Sequence, residues 1–363
     1  MSGVPRVGLV LGAGGVMGGA WLTGGLHALA RETGWDPGSA DRIVGTSAGA
    51  MMGSLLASGV PPWFMVAHSA GERFEGLVGS DGRPAADADR SAGAVFQLAR
   101  GRPSIGPGSW RLALGSLRSP GRHTPAALVG GWLPRGMIST QPLRETVRRA
   151  VPSGWAEHPG LWIVACDYAT GRRVAFGRAD APPAELADAV AASCAIPGFY
   201  RPVTIAGRTY VDGGLYSTSN LDVLRGEELD LVICLNPTSS LHPTRAWNPV
   251  ERLAGTFRTA SGRRLGSETR KLRAAGTEVV LIQPTRVDLE AMGPNLMSRR
   301  RQHPVIETAA RTVAEQLRAT EARGMLADLS AGEPHKLRRP PGPPSSWPPL
   351  TSAAAARGEA RSA

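Results

Sequence analysis

Lysine is nearly absent from this 363-residue chain: only Lys271 and Lys336 occur, and 39 of the 41 basic residues are arginine. The formal charge of +11 would suit a nucleic acid or an anionic membrane. Aromatic residues, however, make up only 5%, and no basic stripe interleaved with aromatics occurs, so a nucleic-acid partner is not expected. With 46 glycines and 30 prolines alongside, the arginine excess reads as compositional bias. Cysteine is scarce too. Cys166, Cys194 and Cys234 are too few and too scattered for a disulfide framework, and two of them fall in apolar runs (LWIVACDY and LVICLNP) that read as buried strands. No Cys/His spacing suits zinc and no H-E-x-x-H is present, so no metal is expected.

Between Val7 and Ala30 charge is missing, His27 apart, and the run could be mistaken for a leader or a membrane span. It holds eight glycines, which offer lipid little apolar side-chain area, only Arg6 precedes it, and no A-x-A pattern follows. It reads instead as strand, loop and helix. A soluble, cytoplasmic protein is the expectation, with peripheral contact to an anionic membrane left open by the arginines.

The pattern along the chain is α/β. A strand Val7–Leu11, a glycine loop Gly12–Gly18 and a helix from about Gly19 to Arg31 come first. A strand Arg42–Val44, a sharp turn Gly45–Ser47 and a small-residue helix Ala48–Ser58 follow, stopped by Gly59 and Pro61-Pro62. Strand, loop, helix, twice within sixty residues, implies parallel pairing and a layered α/β fold. Residues 71–135 are rich in Gly, Pro and Arg, and from Arg90 to Arg135 there are seven arginines and no acid; this stretch is expected to be an inserted cap. The α/β pattern resumes with a helix Gln141–Ala150, a strand Leu161–Tyr168, an arm Arg173–Phe176 and a helix Ala184–Ser193. A two-strand unit, Val203–Ile205 and Thr209–Val211, turns at Ala206-Gly207. Strands Leu229–Leu235 and Glu278–Ile282 and helices Val250–Ala275 and Pro304–Arg323 complete a domain expected over 1–332. The tail, 333–363, lacks periodicity and is expected to be disordered.

Three motifs carry chemistry. Gly45-Thr46-Ser47-Ala48-Gly49 matches G-x-S-x-G, in which small residues two positions either side let a strand turn sharply into a helix and expose the serine hydroxyl. Glycine is about one residue in eight here, so chance would flank a serine this way roughly once in sixty; an apolar strand before it and a helix-forming stretch after it raise the signal. Gly12-Ala13-Gly14-Gly15-Val16-Met17-Gly18 follows the first strand and opens a helix, where backbone N–H groups make an anion site. A dinucleotide would need an acid at the end of the second strand, and that strand ends in Gly45-Thr46-Ser47. A P-loop would need Gly-Lys-Ser/Thr, which is absent. An oxyanion hole is the remaining reading. Tyr210-Val211-Asp212-Gly213-Gly214 places a carboxylate just past a strand; read alone it is an ordinary Asp-Gly turn.

Glycine loop after strand one, G-x-S-x-G after strand two and D-G-G far downstream, in that order, resembles the patatin-like phospholipase family. The run Ala191–Val203, leading into Asp212-Gly213-Gly214, resembles that family's approach to its catalytic aspartate. The resemblance spans roughly Arg6–Ser58 and Leu161–Leu235. It implies a three-layer α/β/α fold with a mainly parallel central sheet, a Ser–Asp dyad without histidine, no cofactor, and hydrolysis of acyl esters of lipids through an acyl-enzyme. By position, Ser47 resembles the nucleophile, Asp212 its base, and Gly14 and Gly15 the oxyanion donors. The chain departs from the family pattern at Ala13, where a glycine is usual, and at Met17, where an arginine is. Acyl transfer through the same acyl-serine, a Ser–Asp–His triad completed by His242 or His303, and a catalytically inactive lipid- or membrane-binding member are the alternatives.

Overall fold

The computed structural model describes residues 4–69, 96–99, 106–118, 124–239 and 249–329. The expected tail and His242 lie outside the described residues, as does most of the first half of the expected cap.

One mixed sheet of eight strands organises the chain, in the order β5-β6-β3-β2-β1-β7-β8, with β4 also paired to β3. The strands are β1 (Val7–Leu11), β2 (Arg42–Thr46), β3 (Leu161–Asp167), β4 (Arg173–Phe176), β5 (Val203–Ile205), β6 (Arg208–Asp212), β7 (Leu231–Leu235) and β8 (Glu278–Ile282). From β3 through β2, β1 and β7 to β8 every pairing is parallel. A parallel sheet is covered on both faces, so its strands are apolar without alternation; all five residues of β1 and all seven of β3 are buried.

The alternation survives in where the side chains go. Leu9, Leu11, Ile43, Ile163, Ile233 and Ile282 pack into one large cluster. It is shared with helices α1 (Gly15–Thr33), α2 (Ala48–Ala57), α7 (Leu186–Ser193) and α10 (Gln302–Arg318). Val10, Val44, Val164, Val232 and Val279 point the other way. They meet Leu265 and Leu272 of α8 (Pro249–Arg273), together with Leu221 and Leu224. Helices on both faces of a mainly parallel sheet make three layers, α/β/α.

Several elements differ from the sequence reading. Helix α1 begins at Gly15, four residues earlier than expected. A Cβ on Gly14 would lie 2.7 Å from the Pro237 ring, and one on Gly24 would lie 2.2 Å from the Ile306 carbonyl oxygen. Close packing against Pro237 and α10 decides the helix where glycine propensity argues against it. Pro62 does not extend the stop after α2 but opens α3 (Pro62–Ser69), since the first turn needs no N–H from proline. The C-terminal helix breaks at Ala319, whose ψ is 139°, into α10 and α11 (Thr320–Leu326). Helix α9 (Arg286–Met292), held by a capping box between Thr285 and Asp288, was not expected. Within the expected cap, α4 (Trp110–Arg118) and α5 (Pro125–Gly130) are ordered helices. Their Leu112 and Ala127 are buried with Cys166, Tyr168, Val211 and Leu215, so this part joins the sheet. Helix α6 (Gln141–Ala150) lies where the sequence places it.

Topology locates the cleft. From β1 the chain passes to β2 and β3 on one side, whereas β7 and β8 lie on the other. Ligands of open α/β sheets collect outside the carboxyl ends of strands at such a switch point, here after Leu11 and Thr46.

Candidate active site

Strand β2 delivers Ser47 to that edge. Ser47 is the residue between β2 and α2, with φ 55° and ψ −118°, a conformation L side chains rarely adopt and one that costs of order 1–3 kcal/mol. The surrounding contacts impose it. A Cβ on Gly45 would lie 2.5 Å from the Gly49 carbonyl oxygen, and one on Gly49 only 1.9 Å from that of Leu11. Larger residues at either place would push the turn apart. The Ser47 N–H donates to the Ser193 hydroxyl at 2.8 Å, and that hydroxyl donates to the Val164 carbonyl at 2.6 Å. Helix α7 thereby ties the turn to β3.

Asp212 reaches the same point from the opposite direction. Val164 pairs with both Thr46 of β2 and Ala175 of β4, and Ala165 with both Val174 of β4 and Asp212 of β6. Since β4 keeps one edge of β3, β2 and β6 must share the other. Thr46 lies opposite Val164 and Asp212 opposite the next residue, so the two strands meet end to end. This junction brings together residues separated by 165 positions in sequence (212 minus 47), and the Ser47 side chain lies near enough to Asp212 to favour its ionised carboxylate. Asn220 closes the junction from outside: its Nδ2 donates to Thr46 Oγ1 at 3.1 Å and to the Ser217 carbonyl at 2.6 Å.

Both side chains are buried, Ser47 at 4% and Asp212 at 6% exposed. Burial pushes the Asp212 carboxyl up from 3.8 to about 6, against the hydrogen bonds from Ser47 and from the Gly214 N–H; the latter is 2.7 Å from Oδ1. A buried charge is disfavoured unless paired, and the groups around it are neutral. Burial, reinforced by Asp212, holds the Cys194 thiol far above its usual range. Burial also raises the Tyr200 hydroxyl, with smaller contributions from Cys194 and Asp212.

The glycine loop stands alongside. The Gly12 N–H donates to the Leu235 carbonyl at 2.9 Å, Ala13 to Thr218 at 2.7 Å, and Met17 to Leu296 at 2.9 Å. Between them, Gly14, Gly15 and Val16 have N–H groups with no acceptor among the described residues, at the positive end of a 19-residue helix. Gly15, at φ 60°, and Val16 line the cleft that contains Ser47. Gly12 and Gly18 sit one step behind: a Cβ on Gly12 would strike Asn236 at 2.3 Å, and one on Gly18 would meet Pro237 at 3.1 Å. Gly213 lies against the Val164 carbonyl, where a Cβ would be 2.3 Å away, and Gly214 approaches Ala13 across the site. Met17, at the place where an arginine was noted as usual, is fully buried in the core.

The cleft, about 690 Å³ including its opening to solvent, continues from Ser47 past Met51, Met52, Leu143, Ile196, Met297 and Ile306. Its described lining holds no Arg, Lys or His. His303 is on the surface of α10, 3.0 Å from Glu307. Among the described residues no group of three His, Cys, Asp or Glu could hold a metal, and no helix is long and apolar enough to cross a membrane. Sequence reasoning brought out the serine, the aspartate and the glycines. It missed the supporting roles of Ser193, Cys194 and Asn220. Ser193 and Cys194 lie in the run before the Asp-Gly-Gly motif, which was the available signal; Asn220 had none beyond a polar cluster, Ser217–Asn220.

A family model, patatin-like phospholipase, matches residues 9–225. That is more than half of the chain, and it contains every residue placed above at the serine, aspartate and glycine motifs. The chain belongs to this family.

Proposed function

We propose that this member of the patatin-like phospholipase family, and hence of the lipid acyl hydrolases, cleaves acyl esters through a Ser47–Asp212 dyad. The observation that carries the reading is the meeting of these two buried side chains at the β2–β6 junction, beside a row of unused backbone N–H groups. Asp212, ionised above about 6, accepts the Ser47 proton as Oγ attacks the ester carbonyl. The N–H groups of Gly14 and Gly15 receive the developing oxyanion, each contributing about 3–4 kcal/mol to the transition state. The proton passes from Asp212 to the leaving alcohol, and an acyl-serine remains. Water then attacks the acyl carbon as Asp212 takes its proton; that proton returns to Ser47 Oγ as the acyl–oxygen bond breaks, and the acid leaves.

The acyl chain fits the methionine- and leucine-lined length of the cleft, since apolar walls stabilise it by about 0.8 kcal/mol per buried methylene. Among its described residues that lining offers no cationic side chain for a phosphate. The headgroup stays outside, and neutral acyl esters are accepted as well as phospholipids.

A fluorophosphonate probe, with the adduct located by peptide mass spectrometry, tests the reading. A stoichiometric adduct on Ser47, lost in Asp212→Ala, is the expected result. No adduct on folded protein, or an adduct unaffected by Asp212→Ala, would sink it.

A further inference from the structure

Helix α4 is apolar on two sides. Leu112 and Ala113 face inward and are buried. On a second face Trp110, Leu114 and Leu117, spaced four and three residues apart, are 59%, 45% and 65% exposed. A soluble surface helix normally keeps that second face polar. The patch extends beyond α4. The Gly108 and Ser109 N–H groups donate to the Leu133 and Gly131 carbonyls at 2.8 and 3.2 Å, which places exposed Trp132 and Leu133 beside the start of the helix. Val129 of α5, 60% exposed, adds to it.

Charge says what would cover such a face. Arg111 and Arg118 flank the stripe and Arg135 follows Leu133; all three are exposed. None has an acidic partner among the described residues, and no Asp or Glu occurs between Arg90 and Arg144. Tryptophan and leucine ringed by arginine is the chemistry that settles at the headgroup boundary of an anionic bilayer. A second protein copy would instead bring these arginines onto their own like charges.

The position fits a substrate that resides in a bilayer. A Cβ on Gly198 would touch Leu133 at 3.4 Å. The Ile138 N–H donates to the Phe199 carbonyl at 3.1 Å, and Arg201 N–H to that of Ile138 at 2.8 Å. The segment from Leu133 to Ile138 therefore runs from the patch to the wall of the cleft at Tyr200. The face is also rigidly mounted: the Tyr168 hydroxyl donates to the Gly130 carbonyl at 3.0 Å, and Thr124 Oγ1 to that of Leu215.

We propose that the outer face of α4 with the adjoining Trp132-Leu133 loop docks on anionic phospholipid membranes and presents the cleft to them. The proposal rests on the acyl-ester reading for its purpose, and its measurement does not use catalysis. Ser47→Ala protein would be floated with phosphatidylcholine vesicles carrying about a third phosphatidylglycerol, at low and high salt. Binding is expected, weakened at high salt and at least about tenfold by Trp110→Ala/Trp132→Ala, and also by Arg111→Glu/Arg118→Glu. In the Ser47 background, both variants should keep wild-type turnover of a water-soluble short-chain ester. No vesicle binding, binding unchanged by the substitutions, or a dimer in sedimentation that the tryptophan substitutions dissolve would overturn the proposal. Failure of the dyad would instead appear as absent turnover or probe adduct with vesicle binding intact.

Discussion

Replacing Asp212 by asparagine should make the protein more stable at pH 8 while abolishing turnover. In the unfolded chain the carboxyl titrates near 3.8, and burial moves it to about 6 in the folded one. Between those values the folded protein holds a proton that the unfolded chain has released. Stability therefore falls as pH rises from about 4 to about 6, and stays lower above that. The rise corresponds to about 3 kcal/mol against the folded state once Asp212 is ionised. Asparagine carries no charge, and its Oδ1 still accepts from the Gly214 N–H. The bond to Ser47 is altered, which returns about 1 kcal/mol. The net expectation is a gain of about 2 kcal/mol at pH 8, or a rise in Tm of about 2–3 °C for a chain of this length. At pH 4 the advantage should vanish, because wild-type Asp212 is then protonated too. Urea or thermal unfolding of both proteins at the two pH values measures it. A variant no more stable than wild type at pH 8, or one equally favoured at both, would refute a buried ionised Asp212.

The same titration should govern catalysis: kcat/KM for a soluble ester should fall about tenfold per pH unit below about 6 and level off above it. A profile flat down to pH 4 would count against Asp212 as base. Gly49→Ala should cost about 3 kcal/mol or more, since its Cβ would meet the Leu11 carbonyl, which belongs to the central strand and cannot retreat; a wild-type Tm would disprove the contact. Ser193→Ala should cost about 1–3 kcal/mol by leaving the buried Ser47 N–H without its acceptor, and should lower kcat more than it raises KM. Cys166, Cys194 and Cys234 are buried, with thiols held well above their usual range. Native protein should accordingly resist iodoacetamide at mildly alkaline pH, whereas the unfolded chain takes up three equivalents; rapid labelling of native Cys194 would contradict its placement.

Much of this protein could be read from local sequence because local physics decided it. The five residues of β1 are apolar without alternation, as a strand buried on both faces must be. The glycines around Ser47 mark the sharp turn that sets a serine between a strand and a helix, and Ala206-Gly207 turns the β5–β6 pair as expected. The motif order was enough to suggest the family. What local sequence could not supply were effects of distant groups. Helix α1 starts at Gly15 because Pro237, more than two hundred residues away, packs against Gly14 and Gly18. An Asp-Gly pair is an ordinary turn by itself. Asp212 is brought to Ser47 only because β6 takes over the edge of β3 where β2 leaves it. Its raised pKa follows from burial, which no neighbour in sequence dictates. The outward stripe on α4 was legible as scattered apolar residues, but only the burial of Leu112 and Ala113 against Tyr168 and Leu215 settles which face is left to solvent.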